Sequence, residues 1–301
     1  MKITSIGLGD IAQKAYLPTL SLFDDIALSL CTRNKAILTK LGKHYHASRL
    51  LSTIEDVIKN KPDAVMVHTN TASHHKIAKS CLQAGIAVFV DKPIGYELRQ
   101  TEELLDLSEQ KDVPLMLGFN RRYAPAYQAP LAHRPLQIHY QKNRHDLLGN
   151  CTQFVYDDFI HIVDFAILAS DCKTVPSVHV SANWNHNKLA ILEVHWQHDE
   201  SLITLSMNRQ AGRTCEKLEY SIMNANWEIN ELVDSTYHSD EESVSKPIDP
   251  WVSTLQKRGF HAMVDHFFMV VEHGGCDSLL NQQTWLTHAA CDRILNKIEC
   301  A

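Results

Sequence analysis

The 301-residue chain has no run of about 18 apolar residues, the length a helix needs to cross a bilayer, so no membrane partner is expected. It has no positive surplus either: 29 lysines and arginines against 35 aspartates and glutamates leave a formal charge of −6. Nucleic-acid binding needs clustered cations to neutralise phosphates, so that class of partner is excluded. No C-x-x-C pair occurs among the eight cysteines, from Cys31 to Cys300, which argues against a zinc knuckle or a disulfide framework and for reduced thiols. Histidine is abundant, at 18 residues, yet His44-x-His46 and His74-His75 lack the carboxylate or thiolate company that catalytic zinc requires. No protein-held metal is expected. Met1 opens directly into a strand pattern without the charged and apolar regions of a secretory leader, and a cytoplasmic protein is the expectation.

What is present begins at the first residues. Met1 to Ile6 reads as a buried strand, and Gly7-Leu8-Gly9-Asp10-Ile11-Ala12 follows as G-x-G-x-x-A. Gly7 permits a tight turn off the strand, Gly9 lets a pyrophosphate approach the backbone, and small Ala12 allows close packing of helix on strand. Free N–H groups at the helix start, around Asp10 and Ile11, then face the phosphates. About 20 residues on, the second strand ends at Thr32-Arg33-Asn34, where a ribose-reading carboxylate would mark NAD. A hydroxyl and a cation suit a 2′-phosphate instead. The reading leans to NADP over NAD, with Arg33 as a plain solvated charge the alternative.

Strand and helix patterns alternate through the first 120 residues as in a doubly wound parallel sheet. Helices are expected from Ile11 past Pro18, which either kinks that helix or splits it in two, and over 35–44, 53–59, 74–84 and 98–110, with Gly85 as a left-handed cap. Strands are expected at 63–68, 86–90 and 115–118. Two domains follow from the length, 1–120 and 121–301, with the closing helices at 260–273 and 283–298 able to pack back on the first. The second half offers strand-like runs at 136–143, 175–184, 190–196, 201–207, 216–223 and 227–237, and Asp240-Glu241-Glu242 reads as a solvated loop.

Ligands of such sheets bind off the carboxyl ends of the strands, and those ends here carry His68-Thr69-Asn70-Thr71, Asp91-Lys92-Pro93 and Gly118-Phe119-Asn120-Arg121-Arg122-Tyr123. A lysine beside a nicotinamide suits proton transfer, because partial desolvation lowers its pKa. A surface ion pair of Lys92 is the equal alternative. Asp157, His161 and Asp164, spaced by four and three, fall near one helical face. Their plainer role is a histidine satisfied within its own helix.

Taken in order, the glycine motif, the Thr69–His74 segment, Asp91-Lys92-Pro93 and Gly118 to Arg122 resemble the glucose–fructose oxidoreductase/inositol dehydrogenase/MocA (Gfo/Idh/MocA) superfamily. The strings His145-Asp146-Leu147, 157–164 and 251–260 resemble its MviM-like bacterial members. The resemblance implies a Rossmann domain followed by an α+β domain with an open, mostly antiparallel sheet, whose outer face pairs subunits as a homodimer or homotetramer. It implies an NAD(P)-dependent dehydrogenase or reductase acting on a secondary alcohol of a sugar, cyclitol or related polyol. Lys92, Asp157 and His161 are the implied catalytic set, and Gly7, Gly9, Asp10, Ile11, Ala12, Thr32, Arg33, Thr69, Asn70, His74, Asp91 and Lys92 the implied cofactor set. Asn120, Arg121, Arg122, Lys142 and Arg144 are candidates for binding substrate, with the cations selecting an acidic or phosphorylated one. Asp91 stands where the wider family has Glu, Asn70 where it has Pro, and Phe159 where it has Gly. These departures leave room for a different substrate class, or for a catalytically silent nucleotide-binding sensor.

Overall fold

The computed structural model describes residues 1–299, so Cys300 lies outside the described residues. Two compact units divide the chain: Met1–Phe119 with Phe260–Trp285, and Asn120–Gly259 with the residues from Leu286 onward.

In the first unit β1 (Lys2–Ile6), β2 (Ala27–Cys31), β3 (Arg49–Leu51), β4 (Ala64–Val67), β5 (Ala87–Val90) and β6 (Leu115–Leu117) form one parallel sheet. Its order, β3-β2-β1-β4-β5-β6, reverses direction between β1 and β4. Every residue of β4 and β5 is buried, as expected of apolar runs covered on both faces. Helix ends follow side-chain chemistry. Asn34 and Thr53 accept the backbone N–H of Ile37 and Asp56, and Gly85 takes φ +73° after the helix Thr71–Gln83. That helix starts three residues before the expected His74.

Two features of this unit differ from the sequence reading. Strand β3 is unexpected, because three residues, two of them exposed, carry no usable periodicity. The first helix is in two parts, a π-helical turn, Ala12–Tyr16, continuing into the short α-helix Leu17–Leu20, and the change falls before Pro18 rather than at it. Pro18 causes no break there, since it sits in the first α-turn, where a missing N–H costs little.

His68, just past β4, stacks on fully buried Tyr16 with ring centroids 3.8 Å apart and planes 17° from parallel. Neither of its ring nitrogens has a hydrogen-bond partner. Burial, helped by nearby His74, pushes the imidazole from the ordinary 6.5 down to about 3, so the ring is held neutral.

The second unit holds an eight-stranded sheet of β7 (Gln137–Asn143), β8 (His179–Asn185), β9 (Lys188–His198), β10 (Ser201–Asn208), β11 (Cys215–Ile222), β12 (Ala225–Asn230), β13 (Asp234–Ser239) and β14 (Ser243–Pro247). Its order is β14-β13-β12-β11-β7-β10-β9-β8, antiparallel throughout except for β7 beside β10. Alternation is strict on the central strands: Ile138, Tyr140 and Lys142 point inward from β7, and Leu192, Val194 and Trp196 from β9. The helix Ile160–Ala169, apolar almost all round, is buried on this inner face. One expectation fails here. The run 227–237 is two strands, not one, broken where Glu231 and Leu232 take positive φ in a turn. Asp240-Glu241-Glu242 is the exposed turn between β13 and β14.

Buried charges in this unit meet partners of opposite sign. Arg121 grips both carboxylate oxygens of Glu216 at 2.9 and 2.8 Å, and Tyr140 donates a further hydrogen bond to the same carboxylate. Burial works against that carboxylate, but Arg121 holds it down at about 2.

The pH dependence of stability follows from His68. Between about 6.5 and 3 the unfolded chain binds a proton that the folded chain refuses, so stability is full above 6.5 and lost as pH falls through that window. The loss by pH 5 should be about 2 kcal/mol. His68→Phe keeps a ring against Tyr16 and removes the titration, so its denaturant midpoint should fall less than wild type between pH 7 and 5; parallel curves would refute this.

Candidate cofactor and active site

The glycine turn leaves β1 at the point where the sheet order reverses, the usual place for a ligand in a doubly wound sheet. Gly7 has φ +87°, and a Cβ there would lie 2.7 Å from both the backbone N and Cγ2 of Thr69. Only glycine fits. Gly9 is the opposite case: the position of its missing Cβ faces open space, which leaves bare backbone at the start of the helix. Ala12 is buried, Ile11 is exposed, and Asp10 makes an exposed ion pair with Lys14 at 2.9 Å. Alongside lies a cavity of about 550 Å³ whose lining includes Gly7, Thr32, Arg33, Thr69 and Asn70. These residues fit a dinucleotide, with a phosphate at the glycine backbone and the ribose side near Thr32 and Arg33. Sequence reading misses Lys76 and Glu55, which line the same cavity with opposite charges. Nothing in their helical surroundings marks them.

The second segment of the site is the turn after β5. The Tyr16 hydroxyl donates to Asp91 Oδ1 at 2.8 Å. Burial and the neighbouring Asp91 carboxylate push the phenol well above its ordinary range, so it stays a donor. Gly118 makes room for this contact, because a Cβ there would sit 2.7 Å from the Tyr16 hydroxyl. Lys92 follows, half-buried, joined to Pro93 by a cis peptide bond. His74 spans two loops: its Nδ1 lies 2.7 Å from the Pro93 carbonyl and its Nε2 2.9 Å from that of Thr69. Both nitrogens are therefore engaged by main chain. The structure thus brings Gly7, Thr69, His74 and Asp91 into one connected cluster, and adds Tyr16 and His68 to it.

The candidates of the second unit separate into two groups. Asp157 is half-buried on a π-helical turn, Phe154–Phe159, and His161 is buried at the start of the following α-helix. Asp164 serves a structural ion pair instead, for both its oxygens accept from Arg122, and Thr287 donates at 3.1 Å. Burial raises its carboxyl while Arg122 pulls the other way. Asn120 donates to the Arg258 carbonyl and accepts from Arg121. Lys142 and Arg144 both converge on Asp158, a residue that sequence reading passes over in favour of its neighbour. Of the five substrate candidates, four are buried or nearly so, and Arg144 is the one with a third of its side chain exposed.

Comparison with known proteins agrees with this architecture. Residues 1–119 match the model of an oxidoreductase family with an NAD-binding Rossmann fold, and residues 125–240 match a YceM-like C-terminal domain. The chain is 29% identical to the putative oxidoreductase YceM of Salmonella typhimurium over 98% of its own length and 97% of that protein's. A Gfo/Idh/MocA family oxidoreductase from Vibrio cholerae superposes with a TM-score of 0.95 at 34% identity, covering 100% of this chain and 98% of that one. The dehydrogenase MviM from Clostridium difficile does so with a TM-score of 0.89 at 28% identity, over 100% and 99%. With a glycine turn that only glycine can make and likeness over its whole length, the chain belongs to the Gfo/Idh/MocA family of NAD-binding oxidoreductases.

Proposed function

We propose that the protein moves hydride between a nicotinamide cofactor and a secondary alcohol or ketone of a sugar, cyclitol or related polyol, with Lys92 handling the hydroxyl proton. The observation that carries this reading is the anchoring of the Asp91-Lys92 turn by buried Tyr16, at the carboxyl end of β5, two strands along the sheet from β1 and its glycine turn. A lysine on a half-buried turn whose neighbour Asp91 is anchored presents its amino group from a fixed stretch of backbone. When bound, the nicotinamide supplies the redox chemistry. Lys92, as the neutral amine, then accepts the hydroxyl proton as the alcohol is oxidised and, as the ammonium, returns it in the reverse direction. Asp157 and His161 enter by family resemblance, as the acid that orients and the histidine that relays. Imidazole suits that part because either protonation state exists near neutrality.

For the cofactor the reading favours NADP. Arg33 is exposed at the rim of the cavity, and Lys76 adds a second cation, against one acid, Glu55. A dianionic 2′-phosphate gains from that balance, whereas the two ribose hydroxyls of NAD would be served by Glu55 alone.

Three measurements test this. Incubating the protein with NADP or NAD and a panel of polyols, amino sugars and sugar acids should yield reduced cofactor, followed by absorbance; Lys92→Ala should abolish turnover with cofactor binding nearly intact, and retained turnover would contradict the assignment. Tyr16→Phe removes one hydrogen bond to a carboxylate, so kcat should drop on the order of tenfold or more while the cofactor dissociation constant stays within about twofold. An unchanged kcat would show that Asp91 needs no anchor. Arg33→Ala should weaken NADP by roughly tenfold and leave NAD unaffected; an equal effect on both cofactors would sink the NADP preference.

A further inference from the structure

Asp158 gathers more positive charge than one carboxylate can neutralise. Lys142 Nζ lies 2.5 Å from Oδ1, Arg144 donates to both oxygens at 2.7 Å, and Arg209 Nη2 reaches Oδ2 at 3.4 Å. The neighbouring Arg121 offers no relief, being matched one to one with Glu216. Burial, then the repulsion of Arg121, pushes Lys142 down to about 7, which is how an over-supplied cluster responds. Asp157 contributes one more negative charge within electrostatic reach of Arg209. A surplus still remains while Lys142 is charged.

Arg209 is the worst served of the three. A guanidinium presents five N–H donors in a rigid fork. Here Nε is buried with no acceptor, Nη2 has one long hydrogen bond, and the group lies 4.4 Å above the Phe154 ring. Only 5% of the residue is exposed, and burial pushes its pKa down. An under-accepted buried cation costs stability, and a water molecule could fill one donor but not balance the charge. The cluster nonetheless has an open edge. Arg144 is 32% exposed, the following residues His145 to Leu147 are exposed, and at Gly149 a Cβ would lie 3.1 Å from Arg209 Nη1, so a bare backbone passes the guanidinium.

We propose that Arg209, with Arg144 at the exposed edge, forms a subsite for an anionic oxygen group, a carboxylate or a phosphate, carried by the substrate. Arg144 spends one edge of its guanidinium on Asp158 and offers the ligand its remaining donors, and binding supplies the acceptors that Arg209 lacks. Asp158 shares its turn with Asp157, so an anion held here is held by the same segment that carries the candidate acid. The inference rests on the oxidoreductase reading for the word substrate, and narrows its class from polyols to sugar acids or sugar phosphates.

The test uses the full chain and melts it in sodium acetate, sodium phosphate and sodium chloride at matched ionic strength. Wild type should gain saturable stability from acetate or phosphate but not from chloride, and the better of the two identifies the oxygen group. Arg209→Gln and, separately, the more exposed Arg144→Gln should each raise the half-saturating concentration on the order of tenfold or more. In the absence of added anion Arg209→Gln should melt at or above wild type, because charge repulsion is relieved; a purely structural arginine would instead lower the melting temperature. Stabilisation no better than chloride's, or undiminished in Arg209→Gln, overturns the subsite. The two readings fail separately: anion binding without turnover of any alcohol leaves the subsite and removes the oxidoreductase activity, while turnover of neutral polyols without anion binding does the reverse.

Discussion

The hydrogen bond from Tyr16 to Asp91 is the constraint on which the arrangement of the first unit depends. Tyr16 is 75 residues from Asp91 and fully buried, so the bond ties the helix after the glycine turn to the end of β5. A phenol inside the protein must find an acceptor, and an acidic residue half-buried at a strand end benefits from a donor. Each satisfies the other. The remaining contacts fit around this pair: His68 covers one face of the tyrosine ring, Gly118 gives its hydroxyl space, and Phe89 and Phe260 meet it edge-on. Holding His68 neutral is a consequence, since a charged imidazole in that stack would have neither water nor an acceptor.

The two units treat polar burial differently. In the first, the site is made from backbone: bare amides at Gly9, carbonyls on both nitrogens of His74, and a neutral phenol. Such groups are fixed in place by the fold itself and suit a ligand that is the same in every turnover. In the second, the buried groups are ions, with Arg121 on Glu216, Arg122 on Asp164, and three cations on Asp158. Two of these sets balance and hold structure. The third does not balance, and a buried charge left over is expensive to keep for packing alone.

The sequence discloses what is local. The glycine turn, the apolar runs of β4 and β5, the cap at Gly85, and the strand-like runs of β9 and β10 all rest on spacing within about ten residues, and all are found in the structure. Partners far apart in the chain are not legible. Arg121 reads as a substrate-facing cation because Glu216, 95 residues on, leaves no mark near it. Arg122 misleads in the same way, since Asp164 reads as part of a helical triad. Asp158 escapes notice because its neighbour Asp157 carries the family motif, and adjacency on a helix says nothing of which side chain turns inward.

Asp157 and Asp164 stand on two kinds of helical turn. A π-helical turn bonds i to i+5 and so takes up one extra residue, which rotates everything after it by about 100° relative to an unbroken α-helix. The π-helical turn Phe154–Phe159 begins before Asp157 and runs into the α-helix Ile160–Ala169, so part of that rotation falls between Asp157 and Asp164. Asp164 is turned to hold Arg122, and Asp158 to meet β7. The same device follows the glycine motif, where the π-helical turn Ala12–Tyr16 ends on the buried tyrosine that reaches Asp91. Wide turns weaken a helix and persist where a side chain must be aimed. In this chain one of them delivers the tyrosine that reaches Asp91, and the other carries Asp158, on which three cations converge, beside Asp157.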